Sequence, residues 1–221
     1  MGWQQPVQAL RPVLKVVAAG LGIMLVIRAI AVISDWTAIG APITRSGAAA
    51  HFGDSMVLRW LLVAAALAGM AALATWQVRA RRNAVLISPF PQRHGTGIAG
   101  WSWFIPFANM VLPARVLSDL WRSADPATRE HRTRSAGGDP VTRWWTAVIV
   151  FAIVGYIVEF VVVGVGRFAY SEEAYRAALT RTAFGNTVLL LGWSAVFVRG
   201  YQLLDRISTW QDTAAPAVPQ V

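Results

Sequence analysis

Four long apolar stretches constrain this chain more than any other feature of its sequence. They cover residues 13–36, 59–79, 144–166 and 183–205. An α-helix needs about 20 mostly apolar residues to cross the hydrocarbon core of a bilayer. Charged residues make up only 14% of the sequence, whereas a soluble domain carries about 25%. The sequence therefore predicts an all-α integral membrane protein, a bundle of four transmembrane helices.

The basic residues predict the orientation of these spans. The connecting segments are, in chain order, 1–12, 37–58, 80–143, 167–182 and 206–221. With a cytoplasmic N-terminus, fourteen basic residues fall in cytoplasmic segments and adjoining span ends, and five fall outside. Since basic residues accumulate on the cytoplasmic side, both termini are predicted in the cytoplasm. The predicted location is the plasma membrane, which is the inner membrane of a bacterium. The net charge of +9 has the same explanation, so nucleic acid is not an expected partner.

The first apolar stretch has a second interpretation as a secretory signal peptide, because it follows Arg11 and Lys15. Its apolar run is longer than the roughly 7–15 residues of a signal peptide. We therefore expect an uncleaved membrane anchor.

The long cytoplasmic loop contains an apolar segment, residues 100–124, that does not fit a fifth span. Pro106 and Pro113 would interrupt a spanning helix and leave carbonyls that lipid cannot satisfy. A fifth span would also move the arginines that follow it to the outside. After Pro113, which suits the first turn of a helix, apolar residues recur with helical spacing. The pattern predicts an amphipathic interfacial helix over 113–124, between the second and third transmembrane helices, with Trp121 at headgroup level.

The preceding residues, WSWFIPFANM at 101–110, are expected to dip into the membrane or to wedge between helix ends. Asn109 is expected to bond backbone groups that the prolines leave free. A solvent-facing helix packed on the loop is the alternative for 113–124. The sequence leaves open whether 101–117 is interfacial, re-entrant or spanning.

Two stretches around this segment carry a recognisable motif. WQVRARRNAVLI at 76–87 places a tryptophan and a basic cluster before an asparagine, and GIAGWSWFIPFANMVLPARVLSDLWRSADP follows at 97–126. Together they resemble the domain-of-unknown-function family 4328, small multi-span membrane proteins of actinobacteria. The resemblance covers residues 15–211, up to the closing glutamine of RISTWQ. The motif residues are Trp76, Asn83, Trp103, Phe104, Pro106, Asn109, Pro113, Trp121 and Arg122.

The resemblance implies a membrane protein without an assigned activity, and it implies no catalytic residues. The residues themselves agree, because the chain has no cysteine and no two of its histidines have metal-ligand spacing. All three histidines are expected in loops. GTGIAG at 95–100 matches a dinucleotide-binding glycine pattern, but no strand precedes it, so a flexible loop is expected. We predict no enzyme activity, no cofactor and no metal.

Arg28 and Glu159 are charges inside two predicted spans. Such a charge costs roughly 2.5–3.5 kcal/mol or more and usually faces a partner or a cavity. The two spans run in the same direction and each charge lies fifteen residues into its span, so their depths match. The sequence predicts an intramembrane ion pair that fixes helix register or serves a proton or ion pathway. Snorkelling of Arg28 to the outer surface is the alternative.

These features favour a non-enzymatic membrane module of unknown biochemical activity, acting as a scaffold, a sensor or a docking unit. A transporter or channel subunit built around Arg28 and Glu159 is the alternative, although no proline breaks the middle of a span. The expected partners are the lipid bilayer, with anionic lipids at the arginines of 122–140, and a membrane or cytoplasmic protein. The sequence leaves the oligomeric state open.

Overall fold

The computed structural model describes residues 7–42, 44–88, 92–131, 139–158 and 171–214. Every regular element within these ranges is helical, which confirms the all-α fold class. The elements are α1 (Arg11–Gly40), α2 (Arg45–Ile87), α3 (Thr96–Trp101), a 3-10 helix (Ala108–Met110), α4 (Leu112–Ala124), α5 (Pro126–His131), α6 (Pro140–Ile157) and α7 (Glu172–Asp212).

Four of these helices are long and apolar enough to cross a membrane, namely α1, residues 53–87 of α2, α6 and α7. Their surfaces expose large apolar side chains that a soluble fold would bury. Ile33, Trp60 and Leu191 are each exposed by 62% or more. Hydrocarbon is the environment in which such a surface is stable. The protein is therefore a multi-pass membrane protein with four candidate spans.

The helices extend beyond the predicted apolar spans. The external loop predicted at 37–58 is mostly helical, because α1 continues to Gly40 and α2 begins at Arg45. In the same way, α7 begins at Glu172 within the next predicted loop and ends at Asp212 within the predicted tail. Helix length follows backbone hydrogen bonding and helix propensity, so polar and alanine-rich turns continue a helix that hydropathy would end.

Two further expectations are wrong. GTGIAG at 95–100 is not a flexible loop, since α3 begins at Thr96. A Cβ on Gly100 would lie 3.0 Å from a methyl group of Val78, so this glycine allows α3 to approach α2 closely. His51 and His131 are not in loops but on α2 and at the end of α5. Polarity alone does not distinguish a loop from a polar helical turn.

The described residues form two compact units. One of them, the motif unit, gathers the described residues within 1–19, 69–146 and 199–221. Its core joins the start of α1 with parts of α2, α4, α6 and α7. The central buried side chains are Leu10, Trp76, Leu120, Val141 and Ile207.

The other unit, the polar-chain unit, gathers the described residues within 20–68 and 147–198. In this unit α6 and α7 approach each other closely at Gly192, where a Cβ would overlap the ring of Phe151. Trp193 lies beside the same ring, with centroids 6.3 Å apart. A glycine without a side chain thus provides the space into which an aromatic ring packs.

Residues 100–124 do not form one helix. α3 ends at Trp101, irregular turns with Pro106 follow, and α4 begins at Leu112. Pro113 lies in the first turn of α4, as predicted. The amphipathic helix predicted at 113–124 is present as α4, and its location at a membrane interface stays a prediction.

Candidate functional site

Trp76 is the largest of the fully buried motif residues. It lies on α2 with no exposed surface, and its Nε1 donates a hydrogen bond to Oγ of Ser208 on α7 at 3.0 Å. The Ser208 hydroxyl donates in turn to the Leu204 carbonyl at 2.8 Å. An unpaired buried indole N–H would cost about 1–3 kcal/mol, so Ser208 stabilises the packing of α2 on α7.

Trp103 joins the segment after α3 to α2 and α6. Its Nε1 donates to Oε1 of Gln77 at 2.6 Å. Its ring meets the edge of Trp145, with centroids 5.8 Å apart. Trp145 on α6 donates to the Met110 carbonyl at 2.7 Å, which lies in the same segment. Two indole hydrogen bonds and one edge-to-face contact therefore fix the segment between two long helices.

Asn83 holds the residues that precede α1. Its Oδ1 accepts from the Gln8 backbone N–H and its Nδ2 donates to the Gln8 carbonyl, both at 2.8 Å. The side-chain amide thus satisfies both backbone groups of one residue. Gln211, the closing glutamine of the motif, donates to the Ala80 carbonyl at 3.2 Å. Both amides connect α2 to a terminal part of the chain.

The apolar stripe of α4 is buried in the protein. Val116, Leu117 and Leu120 are each at most 2% exposed. The Trp121 ring contacts Trp210 of α7 at 4.8 Å between centroids. The apolar stripe of α4 therefore packs against the protein, and the interfacial location and the solvent-facing alternative both stay predictions.

The ion pairs near α4 are weaker. Arg122 lies 3.8 Å from Asp139, and its side chain is 39% exposed. Arg93 lies 3.8 Å from Asp119 and is still more exposed. Exposed pairs of this kind contribute about 0–1 kcal/mol each, so the apolar contacts hold α4 in place.

Residues 101–111 present a surface that we call the apolar tip. Phe107 is its most exposed member at 86%. Pro106 is exposed beside it. The other exposed large apolar side chains of the tip are Trp101, Phe104, Ile105, Met110 and Val111. A contiguous surface of this kind marks a site of contact with a membrane or a protein.

The backbone of the tip turns sharply at Phe107. Its φ is 61° and ψ is −39°, and the Ala108 N–H donates to the Pro106 carbonyl at 2.7 Å. The prediction for Asn109 is wrong, because its side chain makes no hydrogen bond to any described residue. Its backbone N–H donates to the Ile105 carbonyl instead.

The polar-chain unit contains a linear array of four polar side chains, the polar chain. Arg28 Nη1 donates to Asn186 Oδ1 at 3.2 Å, and Asn186 Nδ2 donates to Asp35 Oδ2 at 2.7 Å. The other oxygen of Asp35 lies 3.4 Å from His51 Nε2. Asp35 is only 5% exposed. The Asn186 amide thus connects a cation and a carboxylate two helical turns apart on α1.

Glu159, the predicted partner of Arg28, lies outside the described residues, so the Arg28–Glu159 pair stays a prediction. Asp35, His51 and Asn186 were not predicted as its neighbours. A signal for Asp35 exists, because it lies seven residues after Arg28 within an apolar stretch and therefore on the same helix face. Asn186 and His51 carry no comparable signal.

Within the described residues, no three metal-ligating side chains converge. Ser194 donates to the carbonyl of Leu190, one turn earlier on α7, at 2.7 Å. This bond within one helix is typical of serine in membrane helices.

Residues 44–206 match the model of a family described as Domain of unknown function (DUF4328). No curated protein matches the chain, and no solved structure does. The matched range is narrower than the resemblance predicted, since it begins near the start of α2 and omits α1. It still covers 163 of the 221 residues and every motif residue named above except the closing Gln211. The chain is therefore a member of the domain-of-unknown-function family DUF4328.

Proposed function

We propose that this protein is a non-enzymatic membrane module, a scaffold, sensor or docking unit whose working surface is the apolar tip. One observation carries the proposal: buried motif side chains hold the segment in place, while the aromatic side chains of its tip are exposed. Trp103 donates its Nε1–H to Gln77 on α2, and Trp145 on α6 donates to the Met110 carbonyl. Rigid placement of exposed aromatic groups suits recognition, since little side-chain entropy is lost on contact.

The proposal places the motif unit at the cytoplasmic face of the plasma membrane. Its support is the distribution of basic residues. Every described basic residue that the sequence assigns to the cytoplasmic side belongs to the motif unit, and every described one assigned to the outside belongs to the polar-chain unit. The predicted side of each described basic residue thus agrees with the compact unit to which it belongs.

Purification in mild detergent from the native host tests the docking role. A stoichiometric protein partner is expected with the wild type. The variant Phe107→Ser should lose it, because a polar side chain replaces the most exposed aromatic of the tip. Phe184→Ser is the matched control, since Phe184 is 64% exposed on α7 in the other unit. Absence of any stoichiometric partner, or equal loss in both variants, contradicts the docking role.

A transporter or channel subunit is the second candidate, and the polar chain favours it. Charged and polar side chains inside apolar helices often mark ion or proton pathways. Reconstitution into liposomes with a pH gradient tests this role. A pathway through the polar chain predicts a proton flux that Asp35→Asn abolishes. A flux that is absent in the wild type rules out this candidate.

A further inference from the structure

An open groove of about 450 Å³ runs between α2 and α3 in the motif unit. Its α2 wall consists of Ala71, Ala74, Thr75, Val78, Arg79 and Arg82. These positions are spaced by three and four residues, so they form one face of the helix. Thr96, Gly97, Gly100, Trp101 and Phe104 form the opposite wall.

Two hydrogen bonds fix α2 relative to the segment that forms the opposite wall. On the side of α2 that faces away from the groove, Gln77 receives the Trp103 hydrogen bond described above. One turn later, Arg81 Nε donates to the His94 carbonyl at 2.7 Å, just before α3. The placement of α3 beside α2 is therefore fixed by buried side chains, Gln77 and Arg81, and the groove lies between two packed helices.

The groove is polar at one end and apolar at the other. Arg79 and Arg82 lie toward the C-terminal end of its α2 wall, whereas Ala71 and Ala74 lie toward the N-terminal end. Among the described residues, neither guanidinium makes a hydrogen bond or an ion pair. Two cations without a partner among the described residues, next to an apolar surface, are complementary to an anion that carries a hydrocarbon chain.

The length of the groove matches one leaflet. Ala71 and Arg82 are eleven residues apart, which corresponds to about 16 Å along an α-helix. Half of a hydrocarbon core is about 15 Å thick. Arg79 and Arg82 lie at and just beyond the end of the predicted second span, where headgroups are expected. A free phosphate would leave the apolar part of the groove unoccupied.

We propose that this groove binds one anionic phospholipid, with its phosphate at Arg79 and Arg82 and an acyl chain along Ala71, Ala74 and Val78. The lipid would rest between α2 and the segment that ends in the apolar tip. This inference deepens the proposed function. It rests on that function in one respect only, the placement of the motif unit against a membrane leaflet.

Native mass spectrometry of the detergent-purified full chain, titrated with phosphatidylglycerol or phosphatidylcholine, tests the proposal. One phosphatidylglycerol should bind more tightly than phosphatidylcholine. The double variant Arg79→Gln/Arg82→Gln should weaken phosphatidylglycerol binding about 30-fold. Each basic residue near an anionic lipid raises the affinity about fivefold to sixfold, and the two factors multiply. Phosphatidylcholine binding should weaken much less, because its choline cation offsets the charge of its phosphate. Equal affinity of the wild type for both lipids overturns the proposal, whatever the variants do.

Arg115→Gln/Arg143→Gln is the matched control, because it removes the same charge at two exposed arginines outside the groove. It should retain phosphatidylglycerol; an equal loss would indicate diffuse surface attraction and overturn the site. Gly97→Leu tests the groove itself, since no atom lies within 4 Å of a Cβ there, and it should weaken both lipids. Full competition by soluble glycerol phosphate would identify a phosphate site without an acyl chain and also overturn the proposal.

The lipid titrations and the partner purification test the lipid groove and the docking role separately. A missing protein partner at the apolar tip refutes the docking role and leaves lipid binding unaffected. Loss of lipid selectivity refutes the groove and leaves the partner unaffected.

Discussion

Replacement of Asn83 by alanine gives the sharpest test of the motif unit. The substitution removes both 2.8 Å hydrogen bonds between the Asn83 side chain and the Gln8 backbone. Asn83 itself is fully buried. Each hydrogen bond contributes about 0.5–1.5 kcal/mol net, so the expected loss is about 1–3 kcal/mol. For a chain of this size, a loss of about 2 kcal/mol lowers the melting temperature by about 4–8 °C.

The assay combines thermal unfolding in detergent with hydrogen exchange at residues 7–10. Asn83→Ala should lower the melting temperature and accelerate exchange of the Gln8 amide, which loses its acceptor. Asn109→Ala is the matched control, as it changes the same residue type in the same motif at a side chain without a hydrogen bond to described residues. Equal effects of the two substitutions would refute the assignment of Asn83 as the anchor of the N-terminal residues.

The remaining predictions concern the membrane. Single cysteines in this cysteine-free chain should react with an external impermeant maleimide at positions 45 and 175 but not at 95; external labelling at 95 would invert the topology. Spin labels along 101–111 should report headgroup depth, whereas uniform burial in lipid would indicate a spanning segment. Arg28→Gln and Glu159→Gln should each lower the melting temperature, and the double variant should lose less than their sum, because no orphaned charge remains. Additive losses would favour snorkelling of Arg28.

Hydropathy was sufficient to find the four long helices, because each must present about 20 apolar residues to lipid. It was not sufficient for their ends. Glu172 and Asp212 lie in polar turns, and a helix gains a backbone hydrogen bond there whether or not the side chains are apolar. Pro113 was predictable at the start of α4 because its missing N–H is not needed in a first helical turn.

The partners of the motif side chains were beyond the reach of the sequence. Asn83 bonds the backbone of a residue 75 positions away, and a backbone group has no sequence signature. Ser208, which accepts from Trp76, is one serine among several in the chain. Asp35 has a sequence signal, since it lies seven residues after Arg28 on the same face of α1, but its hydrogen bond with Asn186 of α7 joins residues 151 positions apart and could not be predicted.

The turn at Phe107 links backbone conformation to the surroundings of its side chain. A residue with φ of 61° and ψ of −39° lies in a strained γ-turn region that costs of order 1–3 kcal/mol. Transfer of a phenylalanine side chain from water into hydrocarbon releases about 1.5–3 kcal/mol. The two terms are of similar size, so burial of the Phe107 side chain in lipid would offset the backbone strain of the turn that exposes it.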